Sequence, residues 1–397
     1  SAALGYLALR TLDHLDVEGK RVLLRVDFNV PMEGSRIVDD SRIRQSLPTF
    51  RELLRRGAAV VVVTHIDRPG GKVDPALSVR ATADRLAELL GMAVEVAPDV
   101  RGAQTTAMAH RLTSGEVLML ENVRFEPGEE SNDPAFAAHL AALADCYVND
   151  AFGTAHRAHA STEGVAHLLP SAAGLLMQRE LEFLGRVLTD PAPPLVAIVG
   201  GAKISTKIGV MESLLPRVSR LLVGGAMACT MLKARGASVG ASKVEEDQLE
   251  TARGLLAAGG DKLLLPVDAV VADGFAADAA TKVVDADSIP DSWMMLDVGP
   301  RTVDAFAAVI ASAGTVVWNG PLGVYEMEPF RRGTEAVAEA VAGSKAVSIV
   351  GGGDLAAALA NLGLDQAITH ISTGGGATLE FLEGKQLPGI KALEETA

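Results

Sequence analysis

Short runs of Val, Leu, Ile and Ala recur along the chain, and few of them alternate with polar residues. In the first half they occupy 21–28, 59–66, 94–97, 117–123 and 145–149. In the second half they occupy 195–199, 220–223, 263–272, 315–318, 346–350 and 367–371. A run that is apolar at consecutive positions buries both of its faces, as a parallel strand covered by helices must. Between many of these runs lie Ala- and Leu-rich stretches with one apolar face, at 41–56, 78–90, 133–144, 243–258 and 331–342, which predict amphipathic helices. Alternation of the two patterns predicts βαβ units and two doubly wound, Rossmann-like α/β domains with parallel sheets. In 171–190, Leu175, Leu176, Leu181, Leu184 and Leu188 fall at roughly helical spacing ahead of a proline-rich break at 191–194. That stretch is read as a hinge helix. The expected organisation is a first domain over 1–172, the helix over 173–190 and a second domain over 191–376.

Composition narrows the picture. The chain has 397 residues, 48% of them hydrophobic but only 4% aromatic, so aliphatic side chains must fill two cores. The formal net charge of −14 argues against nucleic acid or an anionic membrane as partner. Cys146 and Cys229 cannot build a disulfide framework or a four-thiolate zinc site, and both are read as packing thiols. No apolar run has the length of a membrane span. The opening SAALGYLALR has neither the charged front nor the long apolar stretch of a signal peptide, so a cytoplasmic protein is expected.

The residues that follow the strand-like runs carry the chemistry, because open parallel sheets bind ligands at the carboxyl ends of their strands. In the first half those ends bear Asp27 and Asn29, then Arg42; His65 and Arg68; Arg124; and His156, Arg157 and His159. A single Arg would read as a surface charge, but several at separate strand ends make an anion-binding basin. His156 and His159 lack a third ligand and are not read as a metal site. In the second half the ends bear glycine clusters: VGGAK from Val199, VGGAM from Val223, WNGPLG from Trp318 and VGGGDL from Val350. Glycine lets backbone N–H groups approach a phosphate, and a following helix start adds its positive dipole end. Lys203 and Lys207 offer point charges, and Asp354 can reach Mg²⁺, which takes one carboxylate plus phosphate oxygens and water. No G-x-x-x-x-G-K-[ST] loop is present. The turn Gly351-x-Gly353-x-x-Ala356 fits a loose dinucleotide fingerprint, which keeps an NAD-dependent dehydrogenase as an alternative. The combination points to an enzyme that moves a phosphoryl group between two ligands.

With these motifs in order (RVDFNVP, THIDRP, LENVRF, YVNDAFGTAHRAHAS, VGGAKISTK, VWNGPLGVYE, VGGGDL and STGGGATLEFLEGKQLPG), the chain resembles the phosphoglycerate kinase family over essentially its whole length. The resemblance implies a glycolytic phosphotransferase with a carboxyl group as acceptor. It would transfer a phosphoryl group reversibly between 1,3-bisphosphoglycerate and ADP with Mg²⁺, in a cleft between two domains that close about a hinge. It implies that Asp27 and Asn29 contact the glycerate end and that Arg42, His65, Arg68, Arg124 and Arg157 hold its carboxyl and phosphate groups. Lys207 would bind nucleotide phosphates, Lys203 the phosphoryl in flight, and Glu326 the ribose hydroxyls. Gly352, Gly353 and Asp354 would cradle phosphates and metal. Gly201, Gly225, Leu296, Asn319 and Leu355 complete the nucleotide set, and Gly375 lies in the 372–376 segment near the transferring group. It also implies a monomer whose final segment, 377–397, returns to the first domain. Three positions depart from the family pattern: Asp67 where Gly is usual, Leu355 where Thr or Ser is usual, and Met295 where Gly is usual. Asp tolerates left-handed backbone, so the turn at Asp67 is expected to survive with an added charge. Met295 is expected to narrow the adenine pocket. A non-catalytic ligand-binding descendant of the same fold is the other reading left open.

Overall fold

The computed structural model describes residues 8–394. It divides into two compact units, one comprising the chain to Glu182 together with the segment from Gln386, the other spanning Phe183–Lys385. Each has its own six-stranded sheet, and all neighbouring strands in both sheets are parallel.

The first sheet is built from β1 (Arg21–Arg25), β2 (Ala59–Val63), β3 (Glu95–Val96), β4 (Val117–Met119), β5 (Cys146–Asn149) and β6 (Ser171–Ala173), in the order β3-β4-β2-β1-β5-β6. The central strands are almost wholly buried, as their unbroken apolarity requires. The helix Ser41–Arg55 covers one face because Ile43, Leu47, Phe50 and Leu53 recur at helical spacing and point inward. Phe50 stacks on Phe28 with ring centroids 6.3 Å apart, which packs this helix against the segment that follows β1. The strand order reverses between β1 and β5, so the ligand crevice of this fold class lies at their carboxyl ends.

The second sheet comprises β7 (Leu195–Val199), β8 (Arg220–Val223), β9 (Leu263–Leu264), β10 (Thr315–Asn319), β11 (Val347–Gly351) and β12 (His370–Ser372), in the order β9-β8-β7-β10-β11-β12. Renumbered within the unit this is the Rossmann order 3-2-1-4-5-6, with its reversal between β7 and β10. A three-stranded antiparallel sheet, Thr281–Asp285, Asp268–Ala272 and Met294–Val298, belongs to the same unit.

Three expectations need correction. The apolar run 263–272 is two strands in two different sheets, interrupted at Pro266, which cannot donate to a ladder. The stretch 171–190 is not helical from its start: Ser171–Ala173 is an edge strand, and the helix occupies Leu175–Thr189. The helix expected over 243–258 begins only at Leu249, after a 3₁₀ turn at Glu246–Gln248. The chain re-enters the first unit at its end. Arg10 N–H donates to Leu393 O and Gly389 N–H to Ala155 O, at 3.0 and 2.9 Å.

Candidate functional site

At the switch point of the first sheet the strand ends are knitted together by their polar side chains. Arg42 donates through Nη1 to Asn29 O at 2.7 Å and lies 3.4 Å from Asp27 Oδ1. Asn29 Oδ1 accepts from Asp67 N–H at 2.9 Å, and Asp67 O accepts from Arg124 Nη1 at 2.9 Å. Asp67 sits at φ 52°, so the left-handed turn does survive there, with its backbone clamped on both sides and its side chain exposed. Asp27, Asn29, Arg42, His65 and Arg124 thus form one neighbourhood. Arg157 joins it electrostatically, since its charge is among those that depress His159. Arg157 and Arg68 have exposed side chains, and among the described residues no hydrogen bond or ion pair ties Arg68 to the others.

Beneath this layer lies a charged residue that the sequence reading passed over. Arg25, the last residue of β1, is fully buried. Its Nε donates to Ser161 Oγ at 2.9 Å, Nη1 to Val26 O, and Nη2 to His65 Nδ1 at 3.1 Å. A guanidinium has no acceptor, so His65 Nδ1 must accept and the ring proton must sit on Nε2. Burial, reinforced by Arg25, Arg124 and Arg42, pushes the His65 pKa well below its ordinary value. His65 is therefore a neutral donor and not a charged clamp. His159 behaves alike: burial, then Arg124 and Arg25, bring it down to about 4. The buried Glu129 carboxylate takes Ser161 N–H at 2.7 Å and Ser161 Oγ at 2.5 Å, and interacts electrostatically with Arg25. Isolated buried charges are costly, and this chain of partners is what makes Arg25 tolerable there. Within a sequence, an Arg inside an apolar run signals only that a partner must come from far away.

In the second unit, the reversal between β7 and β10 brings Gly201, Lys207, Gly225 and Asn319 together. Lys207 is 8% exposed, its Nζ bonds Asn319 Oδ1, and burial lowers its pKa to about 8. Gly225 has φ 72°, and a Cβ there would fall 2.4 Å from Gly201 O, so the two backbone turns can touch only because Gly225 has no side chain. Gly352, at φ 112°, precedes the helix Gly353–Asn361, whose first turn carries Asp354. A Cβ on neighbouring Gly351 would meet Asn319 Nδ2 at 3.3 Å and Thr378 at 3.4 Å. The Thr378 hydroxyl pairs with Ser372 Oγ at 2.7 Å, next to the turn at Gly375. Lys203 and Asp354 are exposed and stand apart from these contacts. Leu355 is 1% exposed, so its departure from a hydroxyl residue is absorbed by the core and only its N–H is left for a ligand.

Leu296 packs with Ala272 and Phe330, and its carbonyl accepts from Val324 N–H at 2.9 Å, which ties the antiparallel sheet to the loop that bears Glu326. Met295 is buried, and its N–H donates to Ser242 Oγ at 2.9 Å. Cys146 and Cys229 are buried free thiols, pushed up to about 12 and about 11 by burial, as packing residues should be. Among the described residues no cluster of three or more His, Cys, Asp or Glu could hold a metal, and no helix is long and apolar enough to cross a membrane.

One parallel sheet ending in guanidinium groups, and a second ending in glycines and a buried lysine, define an α/β phosphotransferase. The family described as Phosphoglycerate kinase matches residues 12–385, and the chain belongs to that family, whose members are phosphotransferases with a carboxyl group as acceptor. The phosphoglycerate kinase of Moorella thermoacetica is 56% identical over 392 residues, covering 98% of this chain and all of its own. That of Pelotomaculum thermopropionicum is 54% identical over 390 residues, covering 98% and 99%. The solved phosphoglycerate kinase of Coxiella burnetii is 43% identical, covers 97% of this chain and 98% of its own, and superposes with a TM-score of 0.87.

Proposed function

We propose that the chain catalyses reversible, Mg²⁺-dependent phosphoryl transfer between 1,3-bisphosphoglycerate and ADP, giving 3-phosphoglycerate and ATP. The observation that carries this reading is the contrast between the two switch points. One gathers Arg42 and Arg124 around the neutral donor His65, with Arg157 acting on the neighbouring His159, and the other gathers Gly201, Gly225 and Asn319 around Lys207.

The arginines, together with Arg68, bind the carboxyl and phosphate groups of the substrate, while Asp27 and Asn29 contact its glycerate end. His65 adds a hydrogen bond from Nε2 without charge. The glycine turns receive the nucleotide phosphates, with Lys207 as their buried cation and Glu326 on the ribose. The donor set suits Mg²⁺: Asp354 is a single exposed carboxylate on the first turn after Gly352, and a cation held partly by phosphate oxygens needs no all-protein cage. When bound, that cation neutralises charge on the phosphates.

The carboxylate of 3-phosphoglycerate is already a nucleophile, so no general base is required. Catalysis consists of alignment and charge neutralisation. In-line transfer needs the two ligands to meet with water excluded, which makes a closing motion the step before chemistry. Arg42 and Lys203 are the cations assigned to the phosphoryl in flight. A net charge of −14 argues against nucleic acid as a partner, and a cytoplasmic monomer fits the proposed reaction.

The test is ATP consumption that depends on both 3-phosphoglycerate and Mg²⁺. Arg42→Ala should lower kcat by roughly 10³–10⁵, the range lost with a transition-state arginine in other phosphoryl transfers. Near-normal kcat with only a raised KM would remove Arg42 from that role.

A further inference from the structure

The loop that follows the WNGPLG cluster carries Glu326, whose side chain is exposed and, among the described residues, held by no hydrogen bond or ion pair. A lone carboxylate on a loop makes a poor sugar ligand unless its backbone is fixed. Its partners would otherwise have to be ordered at the moment of binding.

The fixing comes from further along the chain. Phe330 is fully buried against Leu296 and Ala272. Gly333 N–H donates to the buried Asp297 Oδ2 at 2.8 Å, and Leu322 N–H to Thr334 Oγ1 at 3.0 Å. Arg331 stands on this rigid base, between the 3₁₀ turn Glu328–Phe330 and the helix Arg332–Ala342. From there its side chain reaches back across the loop. Nε donates to Tyr325 O at 2.5 Å and Nη2 to Glu326 O at 3.4 Å. The guanidinium also lies over the Tyr325 ring, 5.1 Å from its centroid. Tyr325 is 6% exposed and Arg331 half-buried, so the cation lies over an aromatic face that is itself shielded from water.

We propose that Arg331 is a positioning residue for the nucleotide sugar: it clamps the backbone of Tyr325 and Glu326 and so sets the Glu326 carboxylate for the ribose hydroxyls. This rests on the reading of Glu326 as the ribose ligand. A planar fork that stacks and donates at once is specific to Arg, and Lys would retain the charge and a single-point donor but not the stacked fork.

The experiment compares steady-state kinetics of the full-length protein with ADP and with 2′-deoxy-ADP, for wild type, Arg331→Ala, Arg331→Lys and Glu326→Ala. Losing one stacked cation and its carbonyl bonds should raise the KM for ADP about three- to tenfold in Arg331→Ala. The KM for 3-phosphoglycerate should stay put, and discrimination between the two nucleotides should shrink. Arg331→Lys should fall between wild type and Ala, and it carries the test by the same readouts if the Ala variant does not fold. A merely structural role would lower the melting temperature and leave the discrimination ratio unmoved, and that result would overturn the proposal. Glu326→Ala separates the two ideas. If it leaves discrimination intact, the ribose reading itself is wrong. If it abolishes discrimination while Arg331→Ala preserves it, only the clamp is wrong.

Discussion

Two titratable side chains, one on each sheet, divide the pH behaviour of the proposed reaction. His65 accepts from the permanently charged Arg25 and is held neutral by burial and the surrounding arginines. Lys207 is desolvated with its pKa near 8. Both shifts have the same sign, because burial and like charges disfavour the cation. The expected outcome is that kcat/KM for 3-phosphoglycerate shows no inflection near pH 6.5, where an ordinary His would titrate. That for the nucleotide should decline above about pH 8 as Lys207 loses its proton. Lys207→Arg, which cannot deprotonate in this range, should remove the alkaline decline even if it lowers the plateau. An acid inflection near 6.5 that disappears in His65→Gln would reverse the assignment. At this scale the sequence was informative about which residues converge and silent about their protonation. Arg42, His65, Arg124 and Lys207 follow apolar runs and could be read directly. Arg25 lies inside such a run, and its partners Ser161 and His65 are 136 and 40 residues away. Those contacts depower His65 as a cation, and no local pattern encodes them.

Among the elements, the helix Leu175–Thr189 has two of its first N–H groups accepted by a single side chain. Asp150, just past β5, is buried, and its Oδ1 accepts from Leu176 N–H at 2.9 Å and Met177 N–H at 3.2 Å, two of the donors a helix start leaves unpaired. Among the described residues its Oδ2 makes no hydrogen bond of good geometry, and burial, which outweighs the nearby Thr49 hydroxyl and the two helix N–H groups, raises its pKa to about 6. The sign follows from a raised acid. The cost of the buried charge is absent below about pH 4 and complete above about pH 6, and amounts to about 3 kcal/mol at most. Asp150→Asn keeps an acceptor for the helix and discards the charge, so at pH 8 it should be at least as stable as wild type. Asp150→Ala strips both N–H groups of their acceptor, a loss of about 1–3 kcal/mol for unsatisfied donors that offsets the relief. Urea unfolding of the three proteins at pH 5 and pH 8 checks this. A steep stability loss in Asp150→Asn at pH 8 would mean the ionised form is the favoured one. Elements were legible in proportion to their apolar signal. The buried β-branched strands β1, β2, β7 and β10 stood out. Ser171–Ala173 is made of small residues and was absorbed into the neighbouring helix. Thr281–Asp285 is mostly exposed and has charged residues at Lys282 and Asp285, so it offered no run to detect.

For the molecule as a whole, the two free cysteines fall one to each unit. Cys146 lies on β5 beside the central strand of the first sheet, and Cys229 on the helix Met227–Ala234 of the second unit. Both are essentially inaccessible, and burial raises both thiols far above neutrality. A thiolate must be exposed and deprotonated to react, so neither should be alkylated in the native protein. Each sheet is complete without strands from the other unit, and the segment after Gln386 closes on the first through the Arg10–Leu393 and Gly389–Ala155 hydrogen bonds. Units with separate cores need not unfold together, and a single two-state transition is not required of such a chain. Pulsed thiol labelling across a urea gradient, read by peptide mass, should therefore show no reaction without denaturant and two distinct midpoints, one for each cysteine. A shared midpoint would mean that the continuous helix Leu175–Thr189 couples the cores into one cooperative block. In that case the Asp150 substitutions, which act at its N-terminus, should shift the labelling of Cys229 as much as that of Cys146.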